Sequence, residues 1–178
     1  MGFILMDYSE AIIKSMNLIS RRKNSIFIGQ SVSYPGNLFY KTLRKIEPSK
    51  KLEVPVFEET QMGLSIGLAL NNFLPVSCYP RFDFLLLAFN QLINHLDKIP
   101  IISNDKFIPK VIIRVSVGSK KPLNAGEQHT QDYSFQLSKM LKTIKVYRLD
   151  SPQKVIDSYK KALKSKYSSV MVEYAKFM

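Results

Sequence analysis

Tryptophan is absent from this chain of 178 residues, cysteine occurs once and histidine only twice. The single cysteine, Cys78, cannot form an internal disulfide, and it lies in an apolar run where a buried, inert thiol is expected. One cysteine and two histidines give no spacing that builds a zinc site, so no metal ligands are predicted in this chain. This cysteine usage is typical of a reducing compartment, and we expect a cytoplasmic protein.

Long hydrophobic runs and the common catalytic motifs are missing as well. The apolar start at residues 2–6 is far shorter than the roughly 20 residues of a membrane-spanning helix, and it has neither a basic flank nor a cleavage site. No membrane association and no signal peptide are therefore predicted. The chain has no nucleophile elbow, no Walker loop and no complete Gly-x-Gly-x-x-Gly fingerprint. Nucleophile chemistry is poorly supported.

Acidic residues are scarce relative to basic ones. Lysine and arginine number 26 against 14 aspartates and glutamates, which gives a net charge of +12. Such an excess suits nucleic acid, a membrane surface or an acidic partner protein. The basic residues are dispersed, and no recognition helix or aromatic platform accompanies them, so nucleic-acid binding is not predicted. Solvated lysine-rich faces are the simplest interpretation, and an acidic partner subunit is the alternative.

Two kinds of apolar pattern alternate along the chain. Short runs with strand character occupy residues 25–28, 54–57, 74–78, 110–117, 144–147 and 169–173. Helical periodicity occupies residues 38–46, 59–71, 84–96, 131–142 and 152–166, and a further helix is expected from Asp7. This alternation is typical of a mostly parallel sheet covered by helices on both faces. We predict one α/β domain over residues 1–178, with three α/β/α layers and about six strands.

An acid stands at the switch from a predicted strand to a predicted helix. Glu58 follows the run at 54–57, and Gly63 and Gly67 follow Glu58 at five and nine residues. Ligands of alternating α/β folds bind at the carboxyl ends of parallel strands, so this acid is well placed for chemistry. The two glycines share one helix face and permit close approach of a cofactor ring or of another backbone. A solvated acid at a helix start and tight helix-on-sheet packing are the structural alternatives.

Three segments resemble the pyrimidine-binding domain of thiamine-diphosphate enzymes. The first comprises Glu58, Gly63, Gly67 and Pro75. The second is Tyr79-Pro80-Arg81-Phe82-Asp83-Phe84 with the helical pattern after it, and the third is Gly126-Glu127-Gln128-His129-Thr130-Gln131, at the end of a long irregular region from residue 118. The resemblance covers roughly residues 25–174. It is closest to the beta subunits of the 2-oxo acid dehydrogenase decarboxylase component, within the transketolase-like group.

The resemblance implies a role for each matched residue. Glu58 is expected to hydrogen-bond the pyrimidine of thiamine diphosphate so that the cofactor's own amino group acts as the base; Glu59 replaces it if the register is shifted by one. Phe84 is expected to stack on the pyrimidine, with Phe82 as its substitute if the segment is extended. His129 is expected on the thiazolium and substrate side, where an imidazole stabilises a carboxylate or moves a proton. Gly63 is counted among the cofactor-binding residues.

The chain also departs from this family. Dehydrogenase beta subunits continue into a further carboxy-terminal domain, which we expect to be absent because the chain ends at Met178. The resemblance assigns the diphosphate and its Mg²⁺ to a partner alpha-type subunit, whose acidic metal-binding motif has no counterpart here. Gln30 also stands where many relatives have an acid.

The resemblance therefore implies the pyrimidine-binding subunit of a split thiamine-diphosphate enzyme. Such a subunit self-associates as a dimer, is active only with its partner, and acts on a 2-oxo acid by decarboxylation with transfer or release of the acyl or aldehyde unit. One alternative is a transketolase-like or sulfopyruvate-decarboxylase-like split subunit. Another is a non-catalytic paralogue that serves as a binding or assembly module. Glu58 together with the aromatic segment and His129 favours the enzyme, because a scaffold needs none of them.

Overall fold

A computed structural model describes residues 6–121 and 124–178 and contains a six-stranded sheet in the order β2-β1-β3-β4-β6-β5. The strands are β1 (Ser25–Gly29), β2 (Lys51–Glu53), β3 (Leu74–Tyr79), β4 (Ile112–Val117), β5 (Lys145–Leu149) and β6 (Ser169–Tyr174). Every pairing between neighbouring strands is parallel. The prediction of a mostly parallel sheet of about six strands is confirmed. Parallel neighbours need crossover connections, and helices supply them.

The α-helices lie between the strands or before the first one. They are α1 (Tyr8–Ser20), α2 (Leu38–Leu43), α3 (Glu58–Leu70), α4 (Phe82–Leu85), α5 (Ile99–Ile102), α6 (Ser134–Met140) and α7 (Pro152–Lys164). Short 3₁₀ turns occupy Pro48–Lys50, Leu86–Ala88, Glu127–His129 and Ala175–Phe177, and a π-helical segment spans Asn90–Leu96. The helix predicted from Asp7 is confirmed, since the Asp7 carboxylate caps α1 by accepting from the Ser9 N–H at 3.2 Å.

Helices cover both faces of the sheet. On one face, α1, α2 and α7 bury residues such as Ile12 and Tyr159 against the strands. On the other face, α3, α4 and α6 bury residues such as Met62 and Leu137. Burial on both faces explains why the central strands are continuously apolar in sequence. The predicted three-layer α/β/α arrangement is confirmed.

A buried ion pair joins two central strands beneath α2 and α7. Arg114 on β4 donates to both carboxylate oxygens of Glu173 on β6, at 2.7 and 2.9 Å, and neither side chain is exposed. Tyr159 donates to the same carboxylate at 2.7 Å, and Thr42 accepts from the guanidinium at 3.1 Å. A desolvated pair of this kind is destabilising if one partner is removed, because the remaining charge stays buried.

The predicted strand at residues 54–57 is wrong. The second strand is β2, where Lys51 pairs with Phe27 of β1. Pro55 has no N–H for a ladder, and Val56 is 64% exposed, so these residues form the turn that leads into α3. Glu58 is therefore the first residue of a helix rather than the end of a strand.

The helices predicted at 84–96 and 131–142 differ in detail from the structure. The first starts at Phe82 and passes through α, 3₁₀ and π geometry, and the second is limited to α6. Residues 2–5 of the apolar start and Pro122 of the long irregular region lie outside the described residues. In the described part of the chain, no helix has the length and apolar character needed to cross a membrane.

Candidate active site

Glu58 is held at the start of α3 by a network that ties this helix to the sheet. Its backbone carbonyl accepts a hydrogen bond from the Tyr79 hydroxyl at 3.3 Å, at the end of β3. One turn along α3, the Gln61 amide donates to the Ser77 hydroxyl at 3.0 Å and to the Cys78 carbonyl at 3.1 Å. These polar groups are buried, so their hydrogen bonds fix the helix relative to β3.

Glu58 and Glu59 have different surroundings. Glu58 is buried, with 8% of its surface exposed, and within residues 6–121 and 124–178 its carboxylate accepts no hydrogen bond. Glu59 is exposed, and its carboxylate accepts from Asn90 at 3.3 Å and from Gln91 at 3.5 Å. The Glu58 carboxylate oxygens are not among the fully buried atoms, so a carboxylate that no donor among the described residues occupies stays accessible to a ligand.

The structure brings Phe84 and His129 together. Their ring centroids are 5.4 Å apart at an interplanar angle of 81°, an edge-to-face contact. The His129 Nδ1 atom is buried and has no hydrogen-bond partner among the described residues. His129 lies in a 3₁₀ turn rather than a helix. Its carbonyl packs against Gly118, where a Cβ atom would come within 2.0 Å of that oxygen, so only glycine fits there.

Two cavities open on either side of this aromatic pair. A cavity of about 220 Å³ is lined by Gln30, Ser31, Gly36, Asn37, Pro80, Arg81, Phe84 and His129. A cavity of about 550 Å³ is lined by Asp83, Phe84, Leu86, Leu87, Glu127, Gln128, His129, Gln131 and Tyr133. Glu58 lines neither cavity. The structure thus brings Phe84 and His129 into contact, and Glu58 is not among the residues that line these two cavities.

Phe82 and the α3 glycines differ from expectation. Phe82 is fully buried and contacts Tyr133 edge-on at 5.7 Å; because its segment is helical rather than extended, the condition for its stacking on a ligand is not met. At Gly63 the nearest atoms to an added Cβ are 3.9 Å away in the Gln91 side chain, and at Gly67 nothing lies within 4 Å. Tight packing of α3 against the sheet therefore does not explain why Gly63 and Gly67 are glycines.

Sequence reasoning assigned no role to Arg81, which lines the smaller cavity. Its Nη1 donates to the Pro80 carbonyl at 2.7 Å, and its Nε is buried without a partner among the described residues. Burial lowers the pKa of Arg81, against the opposing effect of the nearby Asp83 carboxylate. Arg81 lies within the aromatic segment at residues 79–84. Sequence spacing alone does not show that its guanidinium lacks an ion-pair partner.

Glu53 fixes the loop that borders the same cavity. Its carboxylate accepts the N–H groups of Ser31, Val32 and Ser33, the last two at 2.9 and 2.8 Å. Ser31 has a φ of 55°, a conformation that non-glycine residues rarely adopt and that these bonds hold in place. Among the described residues, no group of three or more His, Cys, Asp or Glu side chains is arranged to hold a metal ion.

The chain is similar to beta subunits of 2-oxo acid dehydrogenases. It is 29% identical over 126 residues to the pyruvate dehydrogenase E1 component subunit beta of Gracilaria tenuistipitata var. liui, and 28% over 122 residues to that of Cyanidium caldarium. It is 27% identical over 118 residues to the 2-oxoisovalerate dehydrogenase subunit beta of Bacillus subtilis (strain 168). The resemblance deduced from the three motifs is confirmed.

These matches cover 68%, 66% and 64% of this chain but 39%, 37% and 36% of the relatives, so the chain spans well under half their length. Among solved structures, a split-gene transketolase, described as an inactive beta4 tetramer, has a TM-score of 0.65 over 94% of this chain and 49% of its own. At 16% identity this likeness shows that the two chains share a fold and no more. No protein-family model matches the chain.

Proposed function

We propose that this chain is the pyrimidine-binding subunit of a split thiamine-diphosphate enzyme that acts on a 2-oxo acid. Decarboxylation is followed by transfer or release of the acyl or aldehyde unit. The observation that carries the proposal is Glu58, a largely buried residue at the start of α3 whose carboxylate accepts no hydrogen bond from the described residues of its own chain. The similarity to E1 beta subunits supports the same assignment.

The residues present fit one half of the cofactor. Glu58 suits a heterocyclic ring nitrogen, Phe84 offers an aromatic face beside a cavity, and Gly63 leaves the helix surface open. No cluster of metal ligands is present among the described residues, and an alpha-type partner subunit is proposed to hold the diphosphate and its Mg²⁺. When bound, thiamine diphosphate supplies an electron sink for the bond that breaks in a 2-oxo acid.

The residues of this chain would hold and move protons. Glu58 is proposed to share a proton with the pyrimidine ring nitrogen, and burial strengthens such a charge-assisted hydrogen bond. Tyr79 and Gln61 are positioning residues, because they fix α3 and with it the Glu58 backbone. His129, whose Nδ1 lacks a partner among the described residues, is proposed to exchange a proton with a substrate oxygen.

Exposed apolar surface supports assembly with other subunits. Leu64 on α3 is 39% exposed and Leu87, after α4, is 63% exposed, beside the uncovered Gly63 and Gly67. We expect the chain alone to form a homodimer or to aggregate, and to form a heterotetramer with its diphosphate-binding partner. Obligate interfaces of this kind bury roughly 2,000 Å² or more. The single cysteine, Cys78, is buried, which agrees with the proposed cytoplasmic location.

Calorimetry with thiamine diphosphate and Mg²⁺ tests the assignment. The isolated chain is expected to bind the cofactor weakly or not at all, and the reconstituted pair is expected to bind it tightly and to consume a 2-oxo acid. Tight, metal-dependent binding by the chain alone would mean that the wrong half of the cofactor has been assigned. A pair that binds the cofactor but converts neither 2-oxo acids nor ketose phosphates would indicate a non-catalytic paralogue.

A further inference from the structure

The cavity beside Phe84 and His129 continues into a second one. The first cavity, of about 220 Å³, shares Gly36, Asn37 and Arg81 with a neighbouring cavity of about 420 Å³. The second cavity is also lined by Pro35, Leu38, Tyr40 and Lys41. We call the two together the Arg81 groove. It leads from the aromatic pair, past Arg81 at its middle, to Lys41 at its outer end.

The charge of this groove is entirely positive. Arg81 and Lys41 both line it, and no aspartate or glutamate does. Among residues 6–121 and 124–178, neither Arg81 nor Lys41 forms a salt bridge. Asp83 lines the other cavity beside Phe84, and its carboxylate is the one nearby acid that acts to raise the pKa of Arg81. Glu53 is occupied by the backbone N–H groups of the loop. The cations of the groove therefore have no salt-bridged counter-ion among the residues that line it.

The groove is also held in shape before any ligand arrives. The Asn37 side chain donates to the Gln30 carbonyl at 3.0 Å and accepts from the Phe39 N–H at 2.9 Å, which closes the loop onto the start of α2. Glu53 holds the same loop from the other side through three N–H groups. A fixed site loses less entropy when it binds a ligand than a flexible one does.

The reacting carboxylate of a 2-oxo acid is a poor match for these cations. That carboxylate loses its negative charge as CO₂ departs, so an arginine paired with it would stabilise the ground state more than the transition state and slow the reaction. A cation near the reacting centre suits a group that keeps its charge throughout. Lys41 lines only the second cavity, which neither Phe84 nor His129 lines, and this suits a group at the far end of the substrate.

We propose that the Arg81 groove binds a second, non-reacting oxyanion of the substrate: a carboxylate, phosphate or sulfonate at the end opposite the reacting carbonyl. Arg81 is the specificity-determining residue, and Lys41 adds attraction at the outer end. The inference rests on the proposed function and narrows its substrate class. It selects 2-oxo dicarboxylates and phosphorylated or sulfonated substrates over 2-oxo acids with neutral side chains.

Binding to the full-length chain is the first test, with the two histidines as reporters. The Cε1–H proton resonance of His129, in the groove, is followed while that of exposed His95 serves as internal control. The probes are 2-oxoglutarate and 2-oxopentanoate, which share a five-carbon chain and differ in the distal carboxylate. We expect a saturable His129 shift with 2-oxoglutarate at a Kd at least about tenfold lower than with 2-oxopentanoate, because one charge-assisted pair is gained.

Variants then test whether Arg81 causes the binding preference for 2-oxoglutarate. Arg81→Gln is expected to abolish the preference for 2-oxoglutarate, Arg81→Lys to retain part of it, and Arg44→Gln, an exposed arginine that lines neither cavity, to leave it unchanged. Equal binding of the two probes, no response of His129 to either, or an Arg81→Gln variant with the wild-type preference would each overturn the inference.

Turnover by the reconstituted pair separates this inference from the proposed function. The ratio of kcat/KM for 2-oxoglutarate, sulfopyruvate or phosphohydroxypyruvate to that for 2-oxopentanoate is expected to be about 100 or more, and to approach 1 in Arg81→Gln. Which of the three probes is preferred identifies the oxyanion. If 2-oxo acids are consumed but this kcat/KM ratio is near 1 in both the wild type and Arg81→Gln, the inference fails and the proposed function stands. If His129 reports binding but no 2-oxo acid is consumed, the proposed function fails instead.

Discussion

The hydroxyl of Tyr79 donates a hydrogen bond to the backbone carbonyl of Glu58 across 3.3 Å, which joins the last residue of β3 to the first residue of α3. Replacing Tyr79 by Phe removes this donor together with the acceptor of a longer hydrogen bond from the Ser77 hydroxyl at 3.4 Å. We expect the free energy of unfolding to fall by about 0.5–1.5 kcal/mol, and deuterium exchange at the cofactor thiazolium carbon in the reconstituted pair to slow several-fold. Urea unfolding and proton NMR measure the two effects. Tyr167→Phe is the control. If Tyr79→Phe lowers stability but leaves deuterium exchange at the thiazolium carbon unchanged, the role of Tyr79 is only structural.

The Asp97 carboxylate links the end of the π-helical segment to the residues just before β5. Its carboxylate accepts from the backbone N–H groups of Lys142, Thr143 and Ile144, at 2.7–3.2 Å, and from the Lys98 ammonium at 2.7 Å. Burial by itself would raise the pKa of Asp97, but these donors outweigh burial and hold the pKa below its ordinary value. Asp97→Asn is expected to cost about 1–3 kcal/mol of unfolding free energy at pH 7.

The pH dependence of this effect has a definite sign. A carboxylate whose pKa is lower in the folded state stabilises the protein above its unfolded pKa of about 4, and this contribution is lost as the pH falls through the folded pKa. The difference between wild type and Asp97→Asn should therefore be full at pH 7 and pH 5 and shrink below pH 4. Chemical denaturation at pH 7, 5 and 3 measures it. Asp105→Asn, at an exposed pair with Lys166, should change stability little, and a difference between wild type and Asp97→Asn that is as large at pH 3 as at pH 7 would contradict the account.

Cys78 should be inert in the folded protein. It is fully buried, and burial raises the pKa of its thiol to about 12. At pH 8 almost no thiolate is present or accessible, so iodoacetamide should modify the native chain far more slowly than the urea-unfolded chain. Mass spectrometry of timed samples gives the two rates. Comparable rates would show that β3 opens readily in the native state.

Two glycines should respond oppositely to alanine. Nothing lies within 4 Å of a Cβ placed at Gly67, so Gly67→Ala should stabilise the free chain by about 0.5–1 kcal/mol through helix propensity. At Gly118 a Cβ would strike the His129 carbonyl, so Gly118→Ala should destabilise the chain. Thermal unfolding compares the two variants.

A larger side chain on α3 tests whether its uncovered face meets another subunit. Gly67→Leu should leave the free chain folded and weaken assembly with the partner by at least about tenfold, because the leucine occupies space that the interface needs. Sedimentation of mixtures at several concentrations measures assembly. Wild-type assembly by Gly67→Leu would place the interface elsewhere.

The sheet could be predicted because its central strands are buried on both faces and therefore read as continuous apolar runs, as in Val111-Ile112-Ile113. The edge strand β2 was misplaced because two of its three residues are charged and all three are only half-buried, so hydrophobicity gives little signal there. Pairing with β1, not local pattern, defines that strand.

The site was predictable only where residue type decides the chemistry. Glu58, Phe84 and His129 were predicted as candidate site residues from motif order, and the structure brings the last two together. Phe82 and Phe84 are two positions apart, and which of them faces a cavity depends on whether their segment is helical or extended. The sequence did not decide between these two conformations. Arg81 was passed over because an unpaired charge is a property of three-dimensional surroundings, not of a motif.

The central claim is that Glu58 acts through a hydrogen bond to the pyrimidine ring rather than through its charge alone. Glu58→Gln keeps the shape of the side chain but cannot share the same proton, whereas Glu59→Gln changes an exposed acid that contacts Asn90 and Gln91. Deuterium exchange at the thiazolium carbon, measured in the reconstituted pair, isolates cofactor activation from substrate chemistry. We predict that Glu58→Gln slows exchange by about 100-fold or more with little change in cofactor binding, and that Glu59→Gln stays within a few-fold of wild type. Wild-type exchange in Glu58→Gln would contradict the account, and slow exchange in Glu59→Gln alone would move the role to Glu59.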